Sequence, residues 1–147
     1  MPSATKFGIP ALVACVITLQ CLAGGSVLTS YALQEKCMST AANQFKQGYG
    51  TGKFKVDGQD QIATYQNHYN TKLAKCIVIL NVIASQVRAK RKTSSVTIDL
   101  WDILENRLIG SFFSNNSEVE TTQCFVEQKL CSTKEEWEAL IHPFMND

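Results

Sequence analysis

No charged side chain occurs from Phe7 through Gln34, and behind that stretch the chain changes to short alternations of apolar and polar residues. Lys6 leads into Phe7, Ile9, Leu12, Val13, Val16, Ile17, Leu19 and Leu22, the order of a cation and an apolar run that marks a secretory signal peptide. Small residues follow. Ser30 and Ala32 stand three places and one place before a cut at Leu33, so residues 1–32 read as a signal peptide and 33–147 as one mature domain. About 20 apolar residues also suffice to cross a bilayer, so a retained membrane anchor is the alternative, although Gly8, Pro10, Gln20, Gly24 and Gly25 dilute the run. Leu12-Val13-Ala14-Cys15 has the form of a lipid-attachment box, and the residues before Cys21 fit one poorly.

Within the mature part, Leu33, Cys37, Ala41 and Phe45 recur every four residues and predict an amphipathic helix over 33–47 with Gly48 as its cap. From Gly48 to Gln61 the chain is rich in glycine and charge, which reads as a mobile loop. Ile62 to Asn70 predicts a strand. Cys76 to Ile83 is apolar on both faces, as suits a central strand covered on each side. Arg88, Lys90, Arg91 and Lys92 read as a solvated connection, followed by a hairpin of Val96–Ile103 and Leu108–Phe113 about Glu105-Asn106. Ser114 to Thr122 is a further polar connection, and Cys124–Val126 a short strand. Ser132 with Glu135 forms a capping box for a final helix whose apolar face is Trp137, Leu140, Ile141, Phe144 and Met145, ending or kinking near His142 because of Pro143. The order predicts an α+β domain: an antiparallel sheet of about five strands with both helices on one face.

Cleavage also sorts the six cysteines. Cys15 and Cys21 leave with the signal, and the even number that remains reads as disulfides in an exported chain. Four cysteines permit three pairings. Cys124 with Cys131 suits a tight hairpin and Cys37 with Cys76 would tie the first helix to the central strand; zinc is the competing reading, but the Cys124 to Cys131 spacing is too wide for the usual close ligand pair. Lys6 is the only charge removed, so 13 of the 14 cations face the 13 anions. A neutral domain has no general attraction to nucleic acid.

Candidate chemistry centres on Tyr65-Gln66-Asn67-His68-Tyr69-Asn70. On a strand, Tyr65, Asn67 and Tyr69 share one face, and two phenol rings with an amide suit a glycan or a peptide. Tyr65, Asn67, His68 and Tyr69 are therefore the candidate ligand-binding residues. Neither His68 nor His142 has a nucleophile or orienting carboxylate near it in sequence, and neither sits at metal-ligand spacing. Asp99, Asp102 and Glu105 form an acidic group on the hairpin, where alternation turns Asp99 outward and Asp102 and Glu105 flank the turn. Asn115-Asn116-Ser117 is a glycosylation acceptor only in a eukaryotic host. No nucleotide-binding or hydrolase fingerprint occurs, and no metal or cofactor is expected.

Leu33 to Cys37, Tyr65 to Asn70 with Lys72 to Cys76, Asp102 to Gly110, the Cys124 and Cys131 pair, and Glu135-Glu136-Trp137 before Pro143 together resemble a group of small uncharacterised exported bacterial proteins. The resemblance covers nearly the whole mature chain and implies a bacterial host and a periplasmic or secreted address, with no activity carried over. The basic run from Arg88 to Lys92 departs from it. The combined expectation is a binding or interaction domain rather than an enzyme, facing an envelope or extracellular protein or a glycan, and a membrane only if the N-terminal segment is retained. A small hydrolase using His68 or Asp102 is the rival.

Overall fold

The computed structural model describes residues 23–88, 91–116 and 121–147, apart from the side chains of 23–28, 87–92 and 121–122. Cys15, Cys21, Lys90, Ser117 and most of the signal-like run lie outside the described residues. Helix α1 spans Ala23–Tyr49. It is followed by strands β1 (Lys53–Val56), β2 (Gln59–Asn70), β3 (Lys75–Arg88), β4 (Arg91–Asp102), β5 (Arg107–Asn115), β6 (Thr121–Val126) and β7 (Lys129–Cys131), then helix α2 (Lys134–Met145). The strands form one antiparallel meander in chain order. Short hairpins allow this, because antiparallel neighbours need only a turn between them.

Seven strands replace the five expected. The extra pair of edges comes from short segments: β7 closes a hairpin on β6, and β1 occupies the stretch read as a mobile loop. Asp57 and Gly58, both with positive φ, make the two-residue turn that folds β1 onto β2. An Asp-Gly pair is a strong hairpin signal, here masked by the surrounding charge.

The two helices lie on opposite faces of the sheet, not on one. Alternation along β3 explains how: Cys76 and Val78 pack with Cys37 and Ala41 of α1, whereas Ile77 joins Leu100, Ile109, Phe112, Cys124, Val126 and Trp137 under α2. Over Cys76–Val78 both faces of β3 are covered, whereas Ile83, farther along the same apolar run, is exposed. The disulfides reinforce each side, Cys37–Cys76 joining α1 to β3 and Cys124–Cys131 crossing directly between paired positions of β6 and β7.

Helix ends also differ from the sequence reading. α1 continues to Tyr49, and Gly50, at φ 59°, takes the capping position expected of Gly48, its N–H donating to the Lys46 carbonyl at 3.0 Å. The capping box of α2 uses Thr133 and Glu136, one residue later than Ser132 and Glu135. Both pairs satisfy the pattern; the register that points Trp137 into the core selects between them. Pro143 does not end α2, which runs through it to Met145. The last carbonyls of that helix find a donor elsewhere: the buried Asn70 amide donates to Pro143 O at 3.0 Å and Phe144 O at 3.2 Å.

Candidate ligand-binding groove

α1 presents Ala41, Gln44, Phe45 and Tyr49, at positions i, i+3, i+4 and i+8, along one stripe towards the sheet. Beneath them the β-register aligns Tyr65, Leu80, Asp99 and Ser111 in one row across four strands, with Asn67, Val78 and Trp101 in the adjoining row. Between helix and sheet is an open groove of about 230 Å³, closed at one end by Ile103 and Asn106. Its walls are ring-rich. Phe45 lies 4.6 Å from Tyr65 and 5.5 Å from Tyr49, centroid to centroid, and Trp101 completes the lining.

Gly52 holds the other end of the groove, beside Phe45, together. Its φ of 83° is one that side chains resist, and a Cβ there would lie 2.5 Å from the Ala63 carbonyl and 3.4 Å from the Phe45 ring. The close approach lets β1 fold back beside α1, placing Phe54 5.7 Å from Tyr49.

Asp99 supplies the charge. It is half-buried on the α1 side of β4 rather than turned outward, and its Oδ1 accepts a 2.6 Å hydrogen bond from the Ser111 hydroxyl. Alternation was the right rule, but the face it assigned to solvent is the one α1 partly covers. Burial, and secondarily the Asp99 charge, raise the pKa of the Tyr49 phenol above its ordinary value. Among the described residues no cation pairs with Asp99.

The tyrosine-amide segment divides between the two faces as its period requires. Tyr69 is buried under α1 and Tyr65 forms part of the groove, with half-buried Asn67 between them. His68 and Asn70 face α2. His68 Nε2 lies 3.3 Å from Asp147 Oδ1, and the same carboxylate accepts from Thr71 N at 3.0 Å and Thr71 Oγ1 at 2.9 Å. Hydrogen bonding by Thr71 first, then His68, holds the Asp147 carboxyl below its ordinary range. The segment thus clasps the C-terminal helix on one side and floors the groove on the other.

Asp102 is fully buried on the α2 side, paired with Lys75 Nζ at 2.6 Å, while Glu105 meets the same ammonium at 3.1 Å. These bonds, led by that to Asp102, raise the Lys75 pKa. Neither Asp102 nor His68 lines the groove. His142 is exposed, its carbonyl accepting from Asn146. Among the described residues no three His, Cys, Asp or Glu side chains gather as metal ligands, and no helix is long and apolar enough to cross a membrane.

Of the groove, Tyr65 and Asp99 were singled out from sequence, in unrelated settings. Phe45 and Tyr49 share a helical stripe with Ala41, a signal present in the sequence but indistinguishable there from core packing. No family model, curated protein or solved structure matches the chain.

Proposed function

We propose that the chain is an exported bacterial binding domain whose ligand site is the groove between α1 and the sheet. The observation that carries this reading is the combination of ring walls with one half-buried carboxylate, since ligand sites are concave, mostly apolar and equipped with few polar groups. Two disulfides are compatible with an oxidising compartment, as the signal-like N-terminus and the resemblance to exported proteins suggest. The hydrolase alternative has less support: Asp102 is engaged by Lys75, and His68 and Asp147 sit on the side of the sheet away from the groove.

A membrane-anchored form of the same domain is the second reading, favoured by one observation. From Ala23, inside the uncharged stretch, α1 runs unbroken through Leu33, which packs on the sheet cluster. Intact-mass spectrometry of the expressed protein separates the two readings. A mass beginning at Leu33 with two disulfides is expected for the exported form, and a mass retaining Met1 or carrying a lipid would establish the anchor.

Binding itself is tested by amide-resonance mapping with a library of aromatic, sugar and amine fragments. Shifts confined to the residues around Phe45, Tyr65, Asp99 and Trp101 are expected. Shifts elsewhere, or none, would remove the groove as the site.

A further inference from the structure

Every side chain lining the groove is apolar, aromatic or neutral at pH 7 except Asp99. That asymmetry selects a ligand. An anion would face an uncompensated carboxylate, and a neutral apolar molecule would strip water from Asp99 without giving it a partner. A divalent metal favours several oxygen ligands at once, charged ones above all, and here a single carboxylate stands among rings, with only the neutral amides of Gln44 and Asn106 besides. A cation with an apolar surface meets both demands. Its charge opposes the half-buried Asp99, where solvent screens less than at a fully exposed carboxylate, and its methyl or methylene groups lie against ring faces whose quadrupole attracts positive charge.

We infer that the groove binds a small organic ammonium ion, held by Asp99 and the rings of Phe45, Tyr49, Tyr65 and Trp101. This rests on the groove being the ligand site. Size limits the ion to a headgroup-scale molecule, because about 230 Å³ lies below the roughly 300–1,000 Å³ of pockets for drug-sized ligands. Asp99 is prepared for the role: Ser111 fixes one oxygen at 2.6 Å and no described side chain claims the other. The Tyr49 phenol responds to the Asp99 charge, which places the carboxylate within electrostatic reach of the ring wall.

The test follows the two tryptophan indole resonances while the protein, purified with its disulfides intact, is titrated with tetramethylammonium, with choline and with the neutral all-carbon isostere of choline. Trp101 lines the groove and Trp137 is buried on the opposite face, so the second resonance is an internal control. The expected result is a saturable shift of Trp101 alone, with the neutral isostere weaker by roughly tenfold. Asp99→Asn, similar in shape and still able to accept from Ser111, is expected to lower choline affinity by a similar factor. Equal binding of the neutral isostere, or indifference to Asp99→Asn in a protein with native amide dispersion, overturns the ammonium assignment and leaves the groove reading standing. If neither the ammonium probes nor the aromatic and sugar fragments move Trp101, both readings fall.

Discussion

Asp102 and Lys75 show what a charged side chain costs once it leaves water. The carboxylate is 1% exposed and lies 2.6 Å from the ammonium of Lys75, which retains some contact with solvent. Lys75→Met should therefore strand a buried carboxylate and lower unfolding stability by about 2–3 kcal/mol in urea titrations, below the 3–5 kcal/mol of fully buried pairs because Lys75 is partly hydrated. Lys75→Met with Asp102→Leu should recover most of that loss. The raised Lys75 pKa gives a direction: its contribution is complete below the ordinary lysine value and disappears as pH rises through the higher folded value. Asp147 has the opposite sign. Its carboxyl is depressed by Thr71 and His68, so its contribution is present above the ordinary carboxylate value and vanishes as pH falls through the lower folded one. The stability gap between wild type and Asp147→Asn should accordingly narrow below about pH 4, as read by urea midpoints across an acid series.

At the scale of elements, one glycine sets how closely α2 approaches the sheet. A Cβ at Gly110 would meet the Phe125 carbonyl at 2.6 Å and the Trp137 ring at 3.1 Å, so only a bare backbone lets the indole come this close to β5. Gly110→Ala should cost at least the 1–3 kcal/mol typical of overpacking, since backbone rather than a flexible side chain must move. Gly48→Ala is the control: nothing lies within 4 Å of its would-be Cβ, and replacing a helical glycine should raise stability by about 0.5–1 kcal/mol. Thermal unfolding of the two variants should move in opposite directions. Next to Gly110 the β4 and β5 register slips, leaving Ile109 unpaired between Leu108 and Gly110, and that residue is buried under α2. No local pattern marks the bulge. The paired strands themselves were legible, because β-branched and aromatic residues alternate over Val96–Ile103 and Leu108–Phe113, whereas β1 was not, because it is only four residues long and Lys53 and Lys55 make up half of it.

For the molecule as a whole, the two disulfides differ in what they hold. Cys37–Cys76 closes 39 residues of chain and fixes α1 over the groove, while Cys124–Cys131 closes 7 and stabilises one hairpin. Loop entropy assigns them about 4 and 2.5 kcal/mol. Replacing Cys37 and Cys76 by alanine should lower stability by the larger amount and also weaken ligand binding, whereas replacing Cys124 and Cys131 should lower stability alone; urea unfolding and Trp101 titration of each double variant check both parts. Local periodicity and composition determined the helix at each end, the main strands, the α+β class and the likeness of the N-terminus to an export signal, because each depends on neighbours a few residues apart. Only the tertiary structure decided the face each helix covers, the binding of α2's last carbonyls by Asn70, and the meeting of Phe45, Tyr65, Asp99 and Trp101. Those arrangements join residues far apart in the chain, and the same apolar β3 that announced two covered faces says nothing about which helix covers which.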